Sequence, residues 1–141
     1  MGAEGQRLPG GWYRITRADN AAMCKAVGAT PQSDGRSHPI FYYVATQVGM
    51  GMTVGELLAL CDFDVADGPM MTASEARFEG ELMVETDYRV EGEIVSLVRK
   101  PSRTFGFADI LRFRLTLAED GAAPSLECTN EWILPRGETP A

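Results

Sequence analysis

Little in this chain is suited to holding a metal or closing a disulfide. Its 141 residues include one histidine, His38, and three cysteines, Cys24, Cys61 and Cys128, far apart and with no CxxC pair. Structural zinc takes four N or S ligands at short spacings, so a thiol metal site is not expected. Isolated cysteines in apolar surroundings behave as small hydrophobes and persist where thiols stay reduced, which makes the cytoplasm the expected location. Basic residues are also scarce: 13 Lys and Arg against 20 Asp and Glu leave a net charge of -7. Binding a polyphosphate rests on clustered cations, so nucleic acid is not an expected partner. No long apolar run is present either. The most apolar stretch, 39–61, is interrupted by Gln47, Gly49, Gly51, Thr53, Gly55 and Glu56, whereas a membrane span takes ~20 predominantly apolar residues. The first residues lack the apolar core of a secretory signal. Neither a membrane span nor export is expected.

What remains, 45% hydrophobic and 23% charged residues, describes one globular domain. Residues 1–12 and 137–141 are rich in Gly, Pro and polar side chains and are expected to be flexible around a folded unit at 13–136. Helical signals before Met70 give way to period-two alternation after it, which predicts an α+β domain. Thr16 or Asp19 caps a first helix reaching about Val27, with Ala22, Met23, Ala26 and Val27 on one face and Gly28 as its stop. The stretch 38–48 reads as irregular or helical. Thr53 and Glu56 stand at capping-box spacing before Leu57, Leu58, Leu60 and Cys61, predicting a buried apolar helix there. Leu82 to Val98 alternates as one long bent strand, with Gly92 a place for a kink, and Pro101-Ser102 reads as a turn. Leu111 to Leu117 and Leu126 to Leu134 supply further antiparallel strands. Arginines and glutamates on their wet faces are positioned to pair across strands.

A short helix, a loop, an apolar helix opened by glycines and then long antiparallel strands is the element order of the hotdog fold, in which a sheet wraps one central helix. Ile15-Thr-Arg-Ala-Asp19, Ala26-Val-Gly28, Gly49-Met-Gly-Met-Thr53, Phe78-Glu-Gly-Glu-Leu82 and Tyr88-Arg-Val-Glu-Gly92 resemble a MaoC-like dehydratase or R-specific enoyl-CoA hydratase domain, over about 13–135. The resemblance implies reversible hydration of a trans-2-enoyl thioester. It implies no cofactor of the protein's own, with coenzyme A or phosphopantetheine entering as the thioester carrier. In the family an Asp and a His hold the water, while backbone N–H groups at the central helix polarise the thioester carbonyl.

The family's Gly-Asp-x-Asn-Pro-x-His is not intact here. Matching Gly28 to its glycine puts Ala29 at the Asp position and leaves no histidine. Matching Ser33 to His38 keeps Asp34 and His38 but with one residue too few between them. The first match is the better one, and it implies a substrate-binding half lacking catalytic residues, paired with a catalytic sister chain. A self-sufficient homodimer using Asp34 and His38 is the alternative. Both residues have plainer readings, a turn at Asp34 and a cap at His38. Gly49, Met50, Gly51, Met52, Phe41 and Tyr42 are candidates to line an acyl tunnel, as are Tyr43, Met70 and Met71, although core packing accounts for them equally. Arg99, Lys100 and Arg103 form the densest basic cluster and are candidate phosphate contacts, or a solubilising hairpin tip. A third reading, an acyl-CoA thioesterase or acyl-binding protein, rests on Glu56, which also completes the capping box. A sheet edge left open by one hotdog predicts a dimer, with itself or with a sister.

Overall fold

A computed structural model describes residues 3–137. Strand β1 (Gly11–Arg14) leads into α1 (Arg17–Val27), α2 (Phe41–Gly49) and α3 (Val54–Leu60), followed by a 3-10 turn at Val65–Asp67. Then come β2 (Met70–Phe78), β3 (Asp87–Ser102), β4 (Gly106–Ala118) and β5 (Leu126–Gly137). The strands form one antiparallel sheet in the order β1-β3-β4-β5-β2.

Alternation decides the two faces. Leu111, Phe113, Leu115 and Leu117 of β4 and Leu126, Cys128 and Leu134 of β5 are fully buried on the face that α2 crosses. The opposite face carries the expected cross-strand pairs, Arg112 with Glu131 at 2.8 Å, Arg77 with Glu127 at 3.3 Å, and Arg114 with Glu93. Such exposed pairs contribute at most about 1 kcal/mol each.

The central helix is α2, and this corrects the expectation that the helix opened by Thr53 lies there. The capping box does form, with the Thr53 N–H donating to Glu56 at 2.9 Å and the Glu56 N–H to Thr53 at 3.1 Å. It marks where a helix begins and says nothing of where it packs. α3 lies beside the 65–67 turn and inserts Leu57 and Leu58 into the core margin, while α2, without one charged residue, spans β1, β3, β4 and β5. Gly49 permits that closeness: a Cβ added there would meet Val90 Cγ2 at 2.5 Å.

Other elements depart from expectation for local reasons. In α1 the Thr16 cap and the left-handed Gly28 stop are as read, but Asn20 and Cys24 face inward while Val27 is 55% exposed. β3 begins only at Asp87, with a loop at 79–86, and its irregularity falls between Ile94 and Ser96 instead of at Gly92. Pro101 continues β3 to the turn at 103–105, tolerated because only β4 lies beside it. The segment before β1, expected to be flexible, straps the other edge of β3: Gly5 donates to Ile94 at 2.8 Å and Leu8 to Gly92 at 2.9 Å, and Leu8 is buried. The C-terminal expectation falls, beyond Gly137, outside the described residues. Among those described, no helix is long and apolar enough to cross a membrane.

Candidate functional site

The start of α2 is the place where the resemblance puts the chemistry, and every backbone donor there already has a partner. The His38 N–H donates to Asn20 Oδ1 at 2.8 Å, and Pro39 has no N–H. The Ile40 N–H donates to His38 Nδ1 at 3.1 Å. The Phe41, Tyr42 and Tyr43 N–H groups donate to the carbonyls of His38, Pro39 and Ile40 at 3.1, 3.0 and 3.0 Å. An oxyanion site needs donors aimed at empty space about 2.7–3.1 Å from the developing charge, and this helix start leaves none. Because Nδ1 accepts a hydrogen bond, the neutral imidazole carries its proton on Nε2.

Asp34 is held elsewhere. Its carboxylate accepts from the Arg36 backbone at 3.1 Å and from Arg36 Nε at 2.7 Å. The backbone bond chiefly, with the guanidinium adding to it, keeps its pKa below the ordinary carboxylate value, which weakens it as a base. No hydrogen bond joins Asp34 to His38 among the described residues. The two sit in one loop without forming an acid–base pair.

Beside this loop opens a cavity of about 390 Å³ walled by Ser37, Pro39, Phe78, Glu81 and Leu82. Tyr42 stands at its edge, ring against Phe78 with centroids 6.4 Å apart. The Tyr42 hydroxyl lies 3.0 Å from Ser74 Oγ, which donates to Asn130 Oδ1 at 2.6 Å; the Cys128 thiol reaches the same oxygen at 3.5 Å. Asn130 is fully buried, and its Nδ2 has no hydrogen-bond partner among the described residues. Sequence reasoning missed this polar chain. The available signal was a polar Asn130 in the dry register of Leu126, Cys128, Trp132 and Leu134.

The remaining candidates do not converge there. Phe41 and Met50 are buried in the core, while Met52 is partly buried. Gly49 and Gly51 sit at the exit of the central helix, not its entrance, which corrects the premise on which they were assigned a ligand. Gly51 has φ +86° and lies against the Gly10 backbone, whose N–H donates to Met50 at 2.9 Å. Met70 and Met71 lie on edge strand β2, 40% and 45% exposed. Glu56 is occupied in the α3 cap. Asp64 caps the 65–67 turn, accepting from the Ala66 N–H at 2.9 Å.

The basic cluster divides. Arg99 turns inward onto fully buried Asp109, at 2.9 and 3.1 Å, and Arg136 Nε joins from the other side at 2.8 Å. Arg136 also donates to the Cys61 and Asp62 carbonyls and lies over the Phe63 ring, pinning the end of α3 to the sheet. Burial works to raise the Asp109 pKa, but the hydrogen bonds from Arg99 and Arg136 outweigh it and hold the group ionised. Burial pushes the neighbouring Cys61 thiol up to about 11, so it is inert at neutral pH. Arg99 therefore has a structural role, and Lys100 and Arg103 remain exposed at the β3–β4 tip.

No family model matches the sequence, and no curated protein matches it. Solved structures do. HadBC, a 3R-hydroxyacyl-ACP dehydratase complex from Mycobacterium tuberculosis, matches with TM-score 0.70 and 14% identity over 93% of this chain and 96% of that one. The ChsH1-ChsH2 complex from the same organism matches with TM-score 0.66 and 15% identity over 96% and 85%. An (R)-hydratase from A. caviae matches with TM-score 0.55 and 19% identity over 94% and 96%. The chain has the hotdog fold.

Proposed function

We propose that this chain is the substrate-binding, non-catalytic half of a two-chain MaoC-like enoyl-thioester hydratase or 3-hydroxyacyl-thioester dehydratase. The observation that carries this reading is the start of α2, where each backbone donor is engaged within the chain and His38 serves as an internal cap. Water activation needs a positioned base, and polarising the thioester needs free donors; losing one such donor alone costs about 10²–10³ in rate. Asp34, tied to Arg36, supplies neither.

The sheet supports a partner. Among the described residues β2 is an edge strand whose backbone pairs only with β5, and its side chains are exposed on both faces, Phe78 at 43%. An open edge flanked by apolar side chains is a surface that proteins normally cover. Two of the similar structures are two-chain complexes, which favours a sister hotdog over self-pairing. The cavity beside Tyr42 and Phe78 then lines part of the acyl site, with coenzyme A or phosphopantetheine as carrier. The chain by itself is expected to leave crotonyl-CoA unchanged, and co-expression with a hotdog chain carrying an intact Gly-Asp-x-Asn-Pro-x-His is expected to yield an active complex. A homodimer that hydrates crotonyl-CoA unaided, and loses that activity in His38→Ala, would establish the alternative.

A further inference from the structure

The polar chain beside the cavity has a direction. Ser74 Oγ donates to Asn130 Oδ1 at 2.6 Å, and the Cys128 thiol donates to the same oxygen at 3.5 Å. A hydroxyl carries one proton, and that of Ser74 is committed to Asn130, so across the 3.0 Å contact with Ser74 the Tyr42 hydroxyl is the donor. The Thr46 hydroxyl donates to the Tyr42 carbonyl at 2.7 Å and takes no part. With every proton turned inward, the outer end of the chain, Tyr42 Oη, is left with lone pairs alone. Tyr42 is half-buried, and its ring packs on Phe78, which walls the cavity of about 390 Å³.

Stability does not account for this chain of bonds. Asn130 stands in the dry register of β5 between Cys128 and Trp132, and its Nδ2 is unpaired among the described residues. A leucine there would bury no unpaired donor, and exchanging buried polar partners for apolar groups is close to neutral for folding. What the asparagine supplies is a fixed acceptor that orients Ser74 and, through it, Tyr42. The other buried side-chain polar atoms without a partner among the described residues, on Gln47 and Trp132, belong to the same two elements, α2 and β5. An acceptor at the edge of the cavity selects a ligand group that donates. A hydroxyl does so, whereas a ketone, an ester or a bare hydrocarbon does not.

We propose that the acyl group held by this chain carries a hydroxyl beyond the carbons that gain and lose water, and that this hydroxyl donates to Tyr42 Oη. The inference rests on the two-chain hydratase reading above and names its substrate class. Tyr42 is the contact, and Ser74 and Asn130 are positioning residues that keep its proton turned away from the ligand.

The test uses the co-expressed complex with 2-enoyl-CoA substrates of hexenoyl, octenoyl and decenoyl length, each either plain or with a hydroxyl or a ketone on the penultimate carbon. At one length the hydroxylated substrate is expected to have a kcat/KM about tenfold above the plain one, the size of one net hydrogen bond, and the ketone none of that gain. Tyr42→Phe is expected to abolish the gain. Ser74→Ala frees the Tyr42 proton, so it is expected to keep the gain of the hydroxyl and extend it to the ketone, which a merely structural role for Ser74 would not produce. A loss of stability or of complex formation lowers all three substrates alike and leaves the ratios readable. The proposal is overturned by no gain for the hydroxyl at any length, by an equal gain for the ketone in the unmodified complex, by a gain that survives Tyr42→Phe, or by a ketone left unimproved in Ser74→Ala. Failure of the two-chain reading shows separately, as no complex on size exclusion or as full activity of this chain alone. The same ratios are then measured on this chain by itself, as turnover or as calorimetric affinities.

Discussion

Replacing Gly49 by Ala tests whether this glycine exists for packing or for a ligand. Its added methyl would stand 2.5 Å from Val90 Cγ2 and 3.3 Å from Val90 Cβ. Val90 is 1% exposed and β-branched, so it has little freedom to turn away. Overpacking of this kind costs about 1–3 kcal/mol, against about 1 kcal/mol gained from replacing glycine inside a helix. With Val90 unable to move, the cost falls at the upper end of that range, about 2–3 kcal/mol, so the net expectation is about 1–2 kcal/mol of destabilisation, or a Tm lower by about 3–6 °C for a domain of this size. The double-mutant cycle sharpens it. In a Val90→Ala background the clash is gone, and Gly49→Ala is expected to be neutral or to stabilise by up to about 1 kcal/mol, a coupling of about 2 kcal/mol. Urea unfolding of the four proteins measures all the terms. A Gly49→Ala protein as stable as the wild type, or equal effects in both backgrounds, refutes the packing account and returns Gly49 to the list of ligand positions.

Asp109→Asn leaves Arg99 and Arg136 facing a neutral amide in a buried position and is expected to cost about 3–5 kcal/mol. Since the folded Asp109 pKa lies below its ordinary value, the stability it contributes is present above about pH 4 and is lost as pH falls through the folded value; the Asn variant should lack that part of the acid-unfolding profile, as read by circular dichroism. Glu56→Gln keeps an oxygen for the Thr53 N–H, so any thioesterase activity, measured by free thiol release, should be unaffected; abolition would revive an acid role for Glu56. Met71→Glu with Phe78→Glu places charge on the exposed side chains of β2, and is expected to leave the chain folded while abolishing complex formation on size exclusion. An intact complex would remove β2 from the interface.

Period-two alternation made β4 and β5 and most of their buried faces legible, because burial on one side of a sheet dictates residue type directly. Thr16, Gly28 and the Thr53–Glu56 box were legible because caps are local chemistry. β2 was not, since a strand with both faces exposed has no alternation to read. α2 was obscured for a related reason: its N-cap residue, Ile40, has no capping side chain, and the helix start is set by backbone bonds and by His38, whose Nδ1 accepts from the Ile40 N–H. That misplacement carried Gly49 and Gly51 to the wrong end of the central helix. Arg99 shared a sequence cluster with Lys100 and Arg103, but strand alternation turns it to the opposite face, where Asp109 waits. The network through Tyr42, Ser74, Asn130 and Cys128 joins three distant segments, which no spacing in the sequence records.

The most direct measurement is the hydration of crotonyl-CoA by the purified chain and by its complex with a catalytic hotdog chain, each with and without His38→Ala. The chain alone is predicted to be inactive. The complex is predicted to be active, with kcat changed less than about threefold by His38→Ala in this chain, since that histidine caps a helix and touches no reacting atom. Activity of the chain alone, or a fall of about 10² or more in the complex on losing His38, contradicts the account.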